Sequence, residues 1–188
     1  MQADFAVELA ADDETLEMPW AAEGGSPRYY DLKRHPELLP NLAETRGLQE
    51  LGNFLSSSVN SPASLLESAK CDAWSSAEMN AEEEIFGSTN KFGSYVDLLF
   101  SDAEKRFSFS AHEHLAKRLT QTLKSNLEIP AAAEFLIRRC YYHVGDETRN
   151  GFYITFYLFG YGDDEIQSRQ RWASGLNLVE HAIQQLSE

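Results

Sequence analysis

With 188 residues, 43% of them apolar or aromatic and 24% charged, the chain is long enough to bury a core of its own and too apolar to stay disordered. Sixteen Lys and Arg against thirty Asp and Glu leave a net charge of −14, and residues 1–24, with seven acids and no base, supply half of that excess. Such a field repels a phosphate backbone or an anionic lipid surface, and no run of about eighteen apolar residues could span a bilayer, so neither nucleic acid nor membrane is expected as a partner.

Phe5, Val7 and Leu9, then Leu16, Met18 and Trp20, alternate on either side of Asp12-Asp13-Glu14, which predicts two short strands joined by a turn. The acids here replace the basic start and apolar stretch of a signal peptide, so a cytoplasmic chain is expected. Gly24, Gly25, Ser26 and Pro27 break the pattern, and Pro36 and Pro40 bracket at most one helical turn. Leu48, Leu51 and Leu55 recur at three and four, predicting a helix over 44–58 despite Gly47 and Gly52. These elements form an N-terminal segment, residues 1–60, of one domain spanning 1–188.

Two units of similar order follow, over 64–126 and 131–188. In the first, 66–75 reads as a strand, 76–91 as an acidic loop carrying Glu82, Glu83 and Glu84, and 92–101 as a second strand. A helix then starts near Ser110, with Glu113 at capping-box spacing and Leu115, Leu119 and Leu123 in one stripe. In the second unit, 133–143 and 151–161 read as strands joined by a turn-rich link, and 163–186 as a helix capped by Asp163 or Asp164. Trp172, Leu176, Val179, Ile183 and Leu186 give that helix a wide apolar stripe.

The units correspond by offset. Adding 58 carries Gly93, Tyr95, Val96, Leu98 and Phe100 onto Gly151, Tyr153, Ile154, Phe156 and Leu158, and adding 69 carries Lys70 and Cys71 onto Arg139 and Cys140. The expected fold class is therefore α+β: an antiparallel sheet of four or more strands from a duplicated β-β-α unit, helices packed on one face, and the N-terminal strand and helix segment on the other face or an edge. In element order, acidity and size the chain resembles small acidic binding proteins, secretion chaperones among them, although no motif carries a family's residues across.

Strand side chains alternate, so each strand divides into two faces. One collects Val96, Leu98, Phe100, Ile154, Phe156 and Leu158, the natural seat of the helices. The other, with partner strands aligned by the repeat, collects Lys70, Asp72, Trp74, Tyr95, Asp97, Arg139, Tyr141, His143, Tyr153, Thr155 and Tyr157. Aromatic groups with polar tips and mixed charges suit a protein or small polar ligand. Two other outcomes are open for this face: cover by the helix over 44–58, which would make it core, or cover by a second copy in a homodimer.

Motifs for catalysis are weak. His112 and His114 lie two apart on a helix and point away from each other, so no metal is expected there, with His112 flanking the apolar stripe and His114 facing solvent beside Arg118. Cys71 and Cys140 read as free, partly buried thiols, set by parity on the face away from His143. Asp72 and Asp97 could form an acid and base pair, but ion pairs with Lys70 and Arg139 are simpler. Gly160 and Gly162 read as a sharp exit from the strand, since Asp163, Asp164 and Glu165 would repel a phosphate. A non-enzymatic binding or assembly module, without cofactor, is the leading expectation. The alternative is a small-molecule enzyme with a pocket on the polar aromatic face, using Asp72, Asp97, Arg139 or His143.

Overall fold

The computed structural model describes residues 1–19, 31–41, 48–79, 83–125 and 129–186. Trp20, the Gly24 to Pro27 break, the 44–47 start of the expected helix and Glu82 lie outside the described residues, as does the side chain of Glu84.

The order of elements is β1 (Gln2–Val7), β2 (Thr15–Met18), α1 (Gln49–Phe54, continued by a wider turn over Leu55–Val59), β3 (Leu66–Ser76), β4 (Asn90–Phe100), α2 (Phe109–Lys124), β5 (Ala131–Val144), β6 (Glu147–Gly162) and α3 (Glu165–Leu186). The six strands form one mixed sheet in the order β1-β5-β6-β4-β3, with β2 following β1 along the same edge of β5. The sheet is not purely antiparallel. The first two strands do not pair with each other as a hairpin; each runs parallel to β5, β1 against Ala132–Ile137 and β2 against Arg139–Tyr142. The acidic stretch between them shifts the chain along one edge instead of reversing it.

The strand-strand-helix order recurs as β3-β4-α2 and β5-β6-α3. The offset of 69, however, equates side chains that lie on opposite faces: Cys71 packs against the core under the helices, and Cys140 sits in a separate cluster across the sheet. A one-residue error in alignment reverses every face along a strand, and β3 carries a further irregularity between Ser68 and Cys71. No disulfide joins the two cysteines.

The helix-bearing face is built as its alternation predicts. Val96, Leu98, Phe100, Ile154, Phe156 and Leu158 are buried there with Phe135 and Ile137 of β5, beneath Leu115, Leu119 and Leu123 of α2 and Trp172, Leu176, Val179 and Ile183 of α3. Each large side chain fully buried in this way contributes about 1.5–3 kcal/mol. Trp172 is wholly enclosed, its ring 4.9 Å from Phe92 and its indole N–H donating to Ser94 Oγ at 2.8 Å. Gly160 is what permits this closeness. A Cβ there would stand 2.2 Å from the Trp172 amide nitrogen and 2.3 Å from the Ser168 carbonyl oxygen, so the glycine serves helix packing inside β6 and not an exit from the strand.

Helix ends follow local chemistry. Asp164 accepts the Gln167 amide at 2.7 Å and caps α3. For α2 the cap is Ser108, which accepts the Ala111 amide, while Ser110 lies inside the helix. His112 does not merely flank the stripe. At 1% exposure it sits between Phe100 and Phe152, ring centres 4.8 and 5.7 Å away, with Nδ1 2.8 Å from the Ser108 carbonyl, and burial lowers its basicity. His114 is exposed, as is Arg118.

Helix α1 and its extension pack on this same face. Phe54 meets Phe156 at 6.1 Å, Ser57 and Ser58 donate to Glu180 of α3, and Arg169 pairs with Glu50 at 3.0 Å. The aromatic face is therefore not covered by the N-terminal helix. No helix among the described residues is long and apolar enough to cross a membrane.

Candidate functional site

The face away from the helices divides along its length. Near the start of β6 it closes on itself: Leu16 and Met18 of β2, Cys140 and Tyr142 of β5, Tyr153 of β6 and Leu99 of β4 form an apolar cluster, with Ala69 and Phe107 against it. Tyr142 donates to the Phe152 carbonyl at 2.8 Å, and Arg106 lies over its ring at 5.5 Å. Burial pushes the Cys140 thiol up to about 12, so it is no nucleophile at neutral pH.

A buried polar network borders this cluster. Arg138, 8% exposed, donates through Nε to Glu8 at 2.7 Å and through Nη1 to Glu14 at 2.9 Å and Thr155 Oγ1 at 3.2 Å. Thr155 in turn donates to Asp97 at 2.8 Å. The guanidinium thus ties both ends of the link between β1 and β2 to the middle of the sheet. Asp97 is 3% exposed, and burial pushes its carboxyl up to about 6; the Thr155 hydroxyl, Lys70 and Arg138 pull it down while Glu14 pushes it up. Such a group could exchange a proton near neutrality, but it lines none of the clefts described here. Beside it, Tyr153 is 0% exposed and its hydroxyl has no hydrogen bond among the described residues; burial, then Asp97, raise its pKa.

Toward the end of β6 the face opens into a row of partly exposed rings. Tyr95 stands 5.9 Å from Tyr157, Tyr157 stacks on Phe159 at 6.2 Å with the planes 2° apart, and Trp74 meets Phe159 edge-on at 6.1 Å. Gly93, across from Trp74, makes room for the indole, since a Cβ there would come 2.9 Å from its ring carbons. Burial, then Asp97 and Asp72, push the Tyr95 phenol up to about 12, so it stays a neutral donor. Phe159 leads on to Tyr161 at 6.5 Å, and Phe86 stacks on Tyr161 at 4.2 Å, 10° from parallel. Exposed acids border the row: Asp72 on β3, Glu14 before β2, Glu134 on β5 and Asp4 on β1.

The structure brings Lys70, Asp72, Trp74, Tyr95, Asp97, Tyr153 and Tyr157 to this face, Lys70 from the irregular stretch of β3 and within electrostatic reach of Asp97. It does not bring Arg139, Tyr141 or His143. Arg139 pairs with Phe152, which packs on Phe109 and His112 of α2, so it and its alternate neighbours project to the helix-bearing side. Arg139 donates to the Leu9 carbonyl, and His143 lies 3.0 Å from Thr148 and 3.4 Å from Glu17. Their places on the aromatic face belong to Glu134, Arg138, Cys140 and Tyr142. Asp72 pairs with Tyr95, two residues along β4 from Asp97, and accepts the amide of Ala73 at 2.8 Å. Asp72, Asp97, Arg139 and His143 share no cleft described here.

Two larger clefts flank the face. One of about 620 Å³ opens at the start of β1 and β5, walled by Phe86, Phe159, Tyr161, Glu83, Asp4 and Glu134. The other, of about 480 Å³, lies between Met18, Lys33, Glu67, Arg106 and Tyr142, where Arg106 pairs with Glu67 at 2.7 Å. Among the described residues no three His, Cys, Asp or Glu side chains are grouped to hold a metal ion. No family model, no curated protein and no solved structure matches the chain.

Proposed function

We propose that the protein is a non-enzymatic binding module whose aromatic sheet face docks a basic segment of another protein. The observation that carries this reading is the row Trp74, Phe159, Tyr157 and Tyr95: large, partly exposed rings fixed on adjacent strands, with α1 packed on the opposite face and acids along the border. Trp and Tyr dominate binding hot spots because they bury much area while freezing few torsions. Charge selects the partner. A second copy would set Asp4 and Asp72 against acids of the same kind, whereas Arg and Lys side chains would be complementary. A dimer through this face is therefore disfavoured.

The test uses an acetylated, amidated peptide alternating Arg with Leu, and its Glu counterpart, followed by tryptophan fluorescence and by NMR of the tyrosine rings. The Arg peptide should bind and the Glu peptide should not. Trp74→Ala and Tyr157→Ala should each weaken binding roughly thirtyfold, as expected for loss of about 2 kcal/mol at a hot spot. Binding unchanged by both substitutions is bulk charge attraction and refutes the reading. So does a sedimentation mass of a dimer in which Tyr95 and Tyr157 are shielded.

A further inference from the structure

We propose that a smaller cleft of about 200 Å³, on the helix-bearing side between the end of β4 and α2, docks an apolar residue flanked by carboxylates on an acidic peptide. It lies across the sheet from the aromatic row, and nothing in its geometry depends on that row.

The sequence of α2 builds one wall. Ala111, His114, Leu115 and Arg118 follow one another at spacings of three, one and three, so they share one side of the helix and all line the cleft. Phe100 and Leu115 are nearly enclosed and close the bottom. Ala111, one turn before Leu115, carries only a methyl group and leaves room there. Leu65, 38% exposed, and the half-buried Leu186 complete an apolar lining. An apolar side chain laid against them would take apolar surface of both partners out of water.

Bases stand around this lining. Lys105, in the turn before α2, holds its ammonium 6.0 Å from the Phe100 ring centre, and His114 and Arg118 are exposed on the helix. Among the described residues no acid lines the cleft, and the side chains of these three make no ion pair. Acids close by in sequence or space are engaged elsewhere: Glu113 is held by Lys117 at 2.8 Å, and Glu67 by Arg106 at 2.7 Å. Asp102 accepts the Glu104 amide at 2.9 Å, and Glu104 itself is exposed and makes no ion pair with Lys105. Arg34, Lys91, Arg138 and Arg169 each meet a carboxylate; Lys105 and Arg118 differ from them in having none.

Size and charge together select the occupant. Small-molecule sites enclose about 300–1,000 Å³; this cleft is smaller and open, so it admits one side chain and encloses no free ligand. A peptide inserts that side chain and brings carboxylates to the bases from its neighbouring residues, where rim charges are complementary. A basic segment would be repelled here, so the cleft and the aromatic row select opposite charges.

The probe is an acetylated, amidated pentapeptide with one leucine between glutamates, added to the full chain in about 0.15 M salt, where the chain's own acidity is screened beyond about 8 Å. NMR of the His114 ring and of the Leu65 and Leu186 methyl groups reads the cleft. The peptide should bind in the millimolar range, shift these groups and leave the rings of Trp74, Tyr95 and Tyr157 unmoved. Serine in place of its leucine should weaken binding roughly tenfold. Lys105→Gln with Arg118→Gln should weaken it by a similar factor, and Leu65→Ser several-fold; none of these side chains is enclosed, so the fold should survive. Equal binding of the leucine and serine peptides, or binding untouched by the double variant, overturns the proposal. So do shifts confined to the aromatic row. The free acid 4-methylpentanoate carries the same branched chain on a single carboxylate and should bind roughly tenfold more weakly than the peptide; equal affinity would make the cleft a small-acid site and overturn the peptide assignment. Failure of the arginine peptide at Trp74 and Tyr157 would leave this cleft standing.

Discussion

Replacing Asp97 by Asn probes the buried network on which the aromatic row rests. In the folded chain burial moves this carboxyl from 3.8 to about 6. The folded state therefore binds the proton more tightly than the unfolded one. Stability from this group is greatest below about pH 4, falls as the pH rises toward 6, and is level above that. At about 1.4 kcal/mol for each tenfold change in proton affinity, the whole fall is about 3 kcal/mol. Asn keeps the shape of the protonated acid and an oxygen to accept the Thr155 hydroxyl at 2.8 Å, but it cannot ionise. The attraction of the carboxylate to Lys70 and Arg138 is already contained in that shift. Asp97→Asn should thus match the wild type at pH 4 and exceed it by roughly 1–3 kcal/mol at pH 7. Urea unfolding of both proteins at each pH from 4 to 8 measures this, because subtraction cancels the other acids. A difference that stays flat, or a wild type that gains on the variant as pH rises, would show the carboxylate stabilised in its ionised form and would refute the reasoning.

Two further pairs of substitutions test the packing and capping. Gly160→Ala drives a methyl group into the backbone of α3 at 2.2–2.3 Å and should cost about 3 kcal/mol or prevent folding, whereas Gly52→Ala in α1, with nothing within 4 Å, should stabilise by about 0.5–1 kcal/mol; thermal melts separate the two. Ser108→Ala removes the α2 cap and should cost about 1 kcal/mol, while Ser110→Ala should change stability by less than about 0.5 kcal/mol. The reverse order in denaturant midpoints would restore Ser110 as the cap.

The helices and the face beneath them were legible because their periods are local: Trp172, Leu176, Val179 and Ile183 mark α3, and Val96, Leu98 and Phe100 mark one side of β4. Tyr95, Asp97, Tyr153 and Tyr157 were legible for the same reason. Arg139, Tyr141 and His143 were misplaced because β5 is central. Phe135 and Ile137 are buried on one side and Leu136, Cys140 and Tyr142 on the other, so burial on both faces erases the contrast that tells inside from outside. Its phase was then taken from the repeat, and an offset in error by one residue inverts the strand. The pairing of β1 and β2 with β5 joins residues about 130 apart in sequence, and nothing local encodes it. Asp12-Asp13-Glu14 reads as a turn either way. Arg138, which holds that link through Glu8 and Glu14, was hidden with the phase of its strand.

The acidity of the first residues acquires a structural meaning from this arrangement. Glu8 and Glu14 are turned onto Arg138, which neutralises them in part and fixes β1 and β2 along the edge of β5. Glu17 lies by His143. Asp4 is set where β1 meets Glu134, at the mouth of the cleft and the end of the aromatic row. One stretch of sequence thus supplies both the clamp that closes the edge of the sheet and an acid that gives the open part of the face its sign. A chain selected only for solubility could scatter its acids anywhere on the surface. Here Asp4 is placed at the end of a row of partly exposed rings, where the docking proposed above would meet a fixed negative charge at the border before the rings are buried.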